Sequence, residues 1–504
     1  MIARRPLNPD ARVPSSASVD FDSLPCRHFA TPHAPIASVP GPVPLPADDM
    51  ASPSSVSPPS PDALIPPSSA TARPSAHPAP APAPLDVRPL PPERYDVVVI
   101  GGGPAGLAAA IGARRAGASR VLVLERDRRP GGILNQCVHD GFGLFLYQET
   151  ISGPEYAERL TEDADRAGVR FQTGAMVLDL APDRTLRVNS RSGYSLLQAD
   201  AVILAMGCRE RTREMIEIPG TRPAGVFTAG SAQNMVNLQN IRIGASAVIL
   251  GSGDIGLIMA RRLTFEGTRV RGVFEVLPWP SGLERNVRQC LLDFNIPLEL
   301  SSTVIEVRGR DRVSSVVVAK VDASLHPIPG AEREVACDTL LLSVGLIPEN
   351  ELSKRAGVEL SPLTGGALVD ETLMTSVPGI FSCGNVLHIH DVADWASFEG
   401  LAAGKAAVDF AAGRAPSASS EKVRLTPGLN VRYCLPQAVR LGTSGFELSF
   451  RVTAPVRDAW VEVRGRASGE PHFRKKFPRL VPSELQKITV SPPAAEDMEV
   501  SCHD

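Results

Sequence analysis

None of the cysteine spacings that mark a local redox or metal site occurs in this 504-residue chain. Its eight cysteines (Cys26, Cys137, Cys208, Cys290, Cys337, Cys383, Cys434 and Cys502) are scattered, with no C-x-x-C and no metal-ligand pair. That pattern argues against a cysteine-bound zinc site, an iron–sulfur cluster and a neighbouring-cysteine disulfide, and leaves pairing across the fold open. No metal site is read. A secretory signal is also missing, so reduced thiols and a cytoplasmic location are expected. Apolar runs stop well short of the roughly 20 residues that span a bilayer, so a soluble protein is expected. A formal charge of -3 and a pI near 6.3 give no reason to expect nucleic acid or an anionic membrane as partner. Aromatic residues are scarce at one end: residues 1–92 hold 24 of the 47 prolines and, as aromatics, only Phe21 and Phe29. Such a segment buries too little apolar surface to offset its ordering entropy and is expected to be a disordered tail. The Ala-Pro alternation from Pro78 to Pro84 reads as a stiff spacer. Arg4, Arg5 and the serines suggest an import peptide; Asp10, Asp20, Asp22 and the prolines oppose it, and an extension from an upstream start codon is the other reading.

Glycine is what the chain has in informative places. In YDVVVIGGGPAGLAAAIGARRAGASRVLVLE, Tyr95 to Glu125, the apolar run Val97 to Ile100 suits a buried parallel strand. Gly101, Gly103 and Gly106, with Pro104 and Ala105 between them, give the turn and close approach of a dinucleotide fold. The helix that follows aims its positive end at phosphates. Glu125 stands where a carboxylate accepts ribose hydroxyls, with Arg126 and Val177 as further nucleotide contacts. At Ala247 the pattern begins again as AVILGSGDIGLIMARRL. Gly251, Gly253 and Gly256 repeat the triplet around Asp254 and Ile255, and Glu275 follows Gly251 by 24 positions, the interval between Gly101 and Glu125. Two modules imply two dinucleotides and electron transfer between them. Glu275 would repel a 2′-phosphate, which favours NAD(H) over NADP(H); Arg269 and Arg271 argue the other way. A degenerate second copy that no longer binds is the bland alternative.

The remaining segments fall around these modules. Arg126 to Phe145 is too rich in glycine for a helix, and Gly131, Gly132 and Ile133 would bring backbone to a cofactor ring. A helix is predicted over 154–167, short strands over 169–198, and a strand over 201–205 leading to Gly207. Cys337 to Asn350 reads as a buried strand ending at Gly345 with a turn at Pro348. A last strand near 377–381 leads to Gly384-Asn385 and a helix over 395–410, whose N-terminus is a second place for a ring oxygen or phosphate. Beyond Gly413 a Pro/Ser/Ala linker precedes period-two alternation at Phe446, Leu448, Phe450, Val452, Val461 and Val463, a small β domain. His472, Arg474, Lys475, Lys476 and Arg479 there read as a solvated edge. The predicted organisation is α/β: tail 1–92; a first dinucleotide-binding domain in two segments, 93–213 and 344–413; a second dinucleotide-binding module, 214–343, inserted in it; β domain 414–490; tail 491–504.

With both modules in view the chain from Tyr95 to about Ala412 resembles the FAD- and NAD(P)-dependent pyridine nucleotide-disulfide oxidoreductase superfamily, in the thioredoxin-reductase-like layout. GGILNQCVHDGFG, GCRERTR, TAGSAQ, LPWPSGLERNVRQC, CGNVLHIHDVADW and TPGLNVRYCLPQ resemble bacterial flavoproteins associated with anaerobic glycerol-3-phosphate dehydrogenase, and FAD subunits of opine and hydroxyproline dehydrogenases. The resemblance implies FAD in the first module, NAD(H) in the second, an electron acceptor or donor that is a small molecule or a redox protein, and a homodimer or a heteromeric dehydrogenase complex. Two departures stand out. The usual Gly-Asp flavin contact is Gly384-Asn385, and no redox C-x-x-C or C-x-x-x-x-C is present.

Candidate chemistry follows the flavin. Cys137, as a thiolate assisted by His139, could make a charge-transfer contact or mixed disulfide; a buried apolar thiol is the alternative. His388, His390 and Asp391 could protonate reduced flavin or an acceptor, or His388 and His390 are loop residues bonded to backbone. The expected function is hydride transfer between NAD(H) and FAD and on to an acceptor. The alternatives are an FAD-only amine or imino-acid dehydrogenase subunit, and an accessory flavoprotein subunit of a dehydrogenase complex.

Overall fold

In the computed structural model, residues 93–414, 421–491 and 495–503 are described. The expectations for residues 1–92, Cys26 included, and for the linker at 415–420 lie outside them. The chain enters the first sheet through β1 (Glu93–Ile100), turns into α1 (Pro104–Arg115) and returns as β2 (Val121–Glu125), which pairs in parallel with β1. Val97, Val98 and Val99 are fully buried, as a strand covered on both faces requires. A helix, α2 (Gly153–Arg166), begins where the Ser152 hydroxyl accepts from the Glu155 N–H. Next come β3 (Arg170–Thr173), β4 (Met176–Leu180), β5 (Thr185–Ser190) and β6 (Gly193–Leu204), giving the order β3-β2-β1-β6-β5-β4. β6 is longer than the predicted strand because its first half forms a hairpin with β5 before its second half continues beside β1. The loop from Arg126 to Phe145 is not wholly irregular: Gly132–Gln136 forms a 3-10 turn, entered through Gly131 at φ 113°, a value that suits glycine.

A short ribbon strand, β7 (Cys208–Glu210), leads into the second module: β8 (Val226–Thr228), α3 (Ala229–Gln239), β9 (Ser246–Leu250), α4 (Asp254–Phe265), β10 (Arg269–Phe274), α5 (Glu284–Cys290) and β11 (Leu298–Glu299). Three antiparallel strands, β12 (Ser302–Gly309), β13 (Val313–Val321) and β14 (Pro327–Ala336), precede β15 (Thr339–Leu342), and the parallel sheet runs β11-β10-β9-β15-β8. The exit strand β16 (Leu346–Pro348) pairs antiparallel with β7, Pro348 opposite Cys208. Pro348 is therefore a strand residue and not the predicted turn; in a two-stranded ribbon its missing N–H costs no ladder bond on the outer side.

After α6 (Glu351–Arg355), β17 (Ile380–Ser382) rejoins β6 in parallel and α7 (Ala393–Ala411) lies across α1. Small residues let the two helices touch backbone to backbone. A Cβ on Gly400 would meet Ala105 O at 2.1 Å, and one on Gly404 would meet Ala109 O at 2.0 Å. The C-terminal domain stacks two sheets, β20-β18-β25-β22-β23 and β19-β21-β24, built from β18 (Lys422–Pro427), β19 (Val431–Leu435), β20 (Ala438–Arg440), β21 (Phe446–Val452), β22 (Val456–Gly465), β23 (Pro471–Leu480), β24 (Gln486–Val490) and β25 (Met498–His503). Residues 491–504 are thus not simply a tail. β25 pairs with both β18 and β22 and fully buries Met498, Val500 and Cys502, an inward alternation that the short segment hid among acidic residues. The basic residues sit on the edge strand β23, where Arg474 pairs with Glu462 and Lys476 with Asp458. Among the described residues no helix is long and apolar enough to cross a membrane.

Candidate functional site

The first module ends β1 against a bare helix end. α1 has no side-chain cap and no acidic residue in its first turn, so its leading N–H groups point out unpaired by side chains. A Cβ on Gly101 would strike Ala205 O at 2.4 Å and one on Gly106 would strike Gly101 O at 1.9 Å, whereas one on Gly103 would meet nothing within 4 Å. Room lies in front of the helix where a phosphate would sit. Glu125, buried at the end of β2, accepts the Gly102 N–H on Oε2 (2.7 Å) and the Asp127 N–H on Oε1 (2.8 Å).

The second module repeats this plan with more of its groups engaged. Glu275 Oε2 accepts the Ser252 N–H (2.9 Å) and the hydroxyls of Ser252 (2.6 Å) and Ser281 (2.7 Å), and Oε1 accepts the Leu277 N–H (3.0 Å). Asp254, first residue of α4, accepts the Leu283 N–H (2.8 Å) and the Asn286 amide (2.7 Å); burial raises its carboxyl above the ordinary range.

Both modules open on one cavity of about 2850 Å³, which also reaches the C-terminal domain at Arg432, Tyr433 and Thr453. Glu125 and Glu275 border it, as do Arg126, Gly132, Ile133, Val177, Gly207, Gly345 and Asn385. Gly106, Gly256, Gly384 and His139 do not, the three glycines serving close backbone packing instead. Cys137 borders the cavity, but its thiol has two acceptors in reach of its one proton, Ile133 O (3.3 Å) and Gln233 Oε1 (3.7 Å), and burial pushes its pKa up to about 12. Of the two readings open in the sequence, burial favours the buried thiol over the thiolate, and among the described residues no cationic group is paired with the sulfur. His139 turns to Asp140 O (2.9 Å) and packs on Phe142, and burial lowers its pKa, so the expected Cys137–His139 pair does not form. Next to Cys137, buried Gln136 clasps α3: its amide donates to Gly230 O (2.8 Å) and Gln233 Oε1 (3.1 Å), and its oxygen accepts from Asn234 (3.0 Å).

The predicted loop histidines bond to side chains and not chiefly to backbone. His388 Nε2 lies 3.0 Å from Glu399 Oε1 and its Nδ1 3.4 Å from the Tyr433 hydroxyl, which accepts from Arg451 Nε (3.0 Å). Arg451 in turn reaches Asp391 Oδ1 (3.3 Å). Glu399 Oε2 also accepts the Gly384 N–H (2.6 Å). Burial, with His390 beside it, lowers His388 to about 4; burial opposes ionisation of Glu399, yet the two imidazoles hold it well below the ordinary carboxylate range. At α7, Asp394 in the first turn reaches the neighbouring loop and accepts the N–H groups of Gly143 (3.2 Å), Phe145 (3.2 Å) and Leu146 (2.8 Å), while no side chain caps the helix and Ala393 and Ala396 border the cavity. Glu399, Tyr433, Arg451, Gln136 and Ser281 are site residues the sequence reading missed. H-x-H-D just after Gly384-Asn385 was the available signal for Glu399; nothing local flags Tyr433 or Arg451, which come from other strands.

Residues 95–402 match the family described as pyridine nucleotide-disulphide oxidoreductase. The chain belongs to this family. Its description names an oxidoreductase that works with a pyridine nucleotide. It is 28% identical over 284 residues to hydrogen cyanide synthase subunit HcnB of Pseudomonas protegens, covering 52% of this chain and 59% of that one. It is also 28% identical over 284 residues to a subunit of the opine oxidase of Agrobacterium tumefaciens, covering 53% and 55%. The chain thus spans little more than half the length of these curated relatives. Among solved structures, thioredoxin reductase of Lactococcus lactis aligns with a TM-score of 0.52 at 26% identity, over 63% of this chain and 99% of that one. The T. acidophilum thioredoxin reductase, at 23% identity and TM-score 0.53, shares the fold. The first module fits the FAD this family uses: open space before Gly103, an uncapped α1 and the Glu125 carboxylate are what a dinucleotide's pyrophosphate and ribose need.

Proposed function

We propose that the chain passes electrons between NAD(H), held by the second module, and FAD, held by the first, and on to a small acceptor or partner protein without a redox disulfide. The observation that carries this reading is the duplicated buried carboxylate: Glu125 and Glu275 border the same cavity from opposite modules. The bare α1 terminus and Glu125 would bind FAD's pyrophosphate and ribose, and Asn385 would donate or accept at the ribityl chain. FAD bound there would supply the hydride and electron chemistry. Glu275 would select a 2′-hydroxyl over a 2′-phosphate by charge. Cys137, kept as a thiol, shapes the pocket and takes no electrons. On this reading the domain limits are those read from the sequence, with β25 added to the last.

A second reading, an FAD-only dehydrogenase subunit for an amine or imino acid, draws on the hydroxyls already bonded to Glu275 and on the likeness to the opine oxidase of Agrobacterium tumefaciens. Anaerobic addition of NADH to the purified yellow protein separates the two. Bleaching by NADH, with NADPH much slower, supports the first. Retained colour with NADH, and bleaching by an amine or imino acid, supports the second. A protein that binds no FAD would sink both.

A further inference from the structure

His388, His390 and Glu399 bring three metal-donor side chains together, one donor atom from each lying within 4.8 Å of the others. Their side chains are 0%, 2% and 8% exposed. The hydrogen bonds around His390 fix its tautomer. Asn385 Oδ1 accepts the His390 backbone N–H (3.0 Å) while Asn385 Nδ2 points to Cys208 Sγ (3.6 Å), so that oxygen is an acceptor. His390 Nδ1 lies 3.2 Å from the same oxygen and therefore carries the ring proton. The Nε2 lone pair then faces Glu399 Oε2 at 3.5 Å, buried and without a hydrogen-bond partner. Two electron-rich atoms facing each other away from water call for a cation between them.

We propose that His388 Nε2, His390 Nε2 and a Glu399 oxygen form a binding site for one divalent ion of the zinc type. His388 Nε2 lies 3.0 Å from Glu399 Oε1 and His390 Nε2 3.5 Å from Oε2, so the carboxylate faces both nitrogens, and a small turn of it brings one oxygen to the ligand spacing of an ion held at about 2.0–2.2 Å. Each histidine has an outer partner at its other nitrogen, Tyr433 for His388 and Asn385 for His390, as metal-bound imidazoles do. Arg451, held in turn by Asp391, braces Tyr433, and both Tyr433 and Arg451 come from the C-terminal domain. Both histidines border the cavity, so a water or an oxygen of the substrate reaches the fourth position from there.

The competing arrangement is a proton on His390 Nε2, making a buried imidazolium–carboxylate pair, and a metal titration distinguishes them. The full chain, treated with chelator and then with Zn²⁺, is expected to retain one zinc per chain after gel filtration, and Co²⁺ is expected to give tetrahedral bands beyond the flavin absorption. His390→Ala should weaken Zn²⁺ binding more than 100-fold. Tyr433→Phe, which removes the outer hydroxyl, should weaken it about tenfold. His326→Ala, on an exposed turn, should leave it unchanged. Uptake far below one equivalent by folded protein overturns the site in favour of the imidazolium pair, and undiminished uptake by His390→Ala places the metal elsewhere and overturns it equally. If His390→Ala fails to fold, Tyr433→Phe with an unchanged circular dichroism spectrum decides.

Discussion

Glu125 and Glu275 occupy the same step of the same motif, 24 residues after the first glycine of each triplet, yet they are loaded differently. Glu125 meets two backbone N–H groups; Glu275 meets two and, in addition, the hydroxyls of Ser252 and Ser281. The helix ends differ in the same sense. α1 begins with Pro104 and no acid, whereas α4 begins with Asp254, tied to Leu283 and Asn286 in the segment that follows β10. A glycine triplet and a distant acid therefore specify the backbone cradle, while the hydrogen bonds already made inside the cradle decide how readily it accepts a ligand. Hydrogen bonds to a charged group contribute about 1.5–3 kcal/mol each, so the two hydroxyls weigh as much as the ribose contacts they compete with.

The strongest way to break this comparison is to close each cradle in turn. Gly106→Val puts a Cβ at 1.9 Å from a backbone oxygen that cannot move aside, while Gly256→Val closes the second cradle, its Cβ meeting Ser343 Cβ at 2.7 Å and Gly251 O at 2.9 Å. Gly106→Val is expected to purify colourless, with FAD affinity down more than 100-fold, and Gly256→Val to keep its flavin; bound flavin per chain is the measurement. If both variants stay yellow, FAD is not held by the first module. Removing the acids should act less. Glu125→Ala is expected to weaken FAD by roughly ten- to 100-fold, about the 1.5–3 kcal/mol of one charge-assisted bond, by equilibrium titration. Glu275→Ala should leave FAD binding intact and lower Tm, because it strands the Ser252 and Ser281 donors. Smaller again, Ser281→Ala removes one competitor for Glu275 and is expected to tighten NADH by up to about tenfold, near 0.5–1.5 kcal/mol. An unchanged NADH titration would remove Ser281 from the argument.

The sequence carried the parts of this structure that depend on nearest neighbours along the chain. Apolar runs ending in glycine located β1, β6 and β9, and the spacing to an acid located two carboxylates, Glu125 and Glu275, that are buried and accept backbone N–H groups, because strand, turn and helix are fixed by local sterics. What failed needed partners far away. Pro348 read as a turn until β7 was seen opposite it, and 491–504 read as a tail because Met498, Val500 and Cys502 face inward only once β18 and β22 flank them. The histidine cluster was half visible. H-x-H sits in one loop, but Tyr433 and Arg451 arrive from β19 and β21 and carry no local mark of their role.

Cys137 tests the join between the modules with the smallest expected effect. Its sulfur stands between Ile133 of the first module's loop and Gln233 of α3, within reach of the cavity, and among the described residues no histidine or lysine is paired with it. Burial alone sets its pKa near 12, so the neutral thiol prevails at working pH and ionises only as pH rises through that value. Cys137→Ser should change NADH-driven turnover less than about twofold, since the hydroxyl can donate its one proton to either oxygen, and iodoacetamide should label the native protein at Cys137 slowly at pH 8 and faster with each step toward higher pH. Rapid labelling at neutral pH, or a long-wavelength charge-transfer band that disappears in Cys137→Ser, would return the thiol to the electron path and make the meeting of the two modules a third redox station.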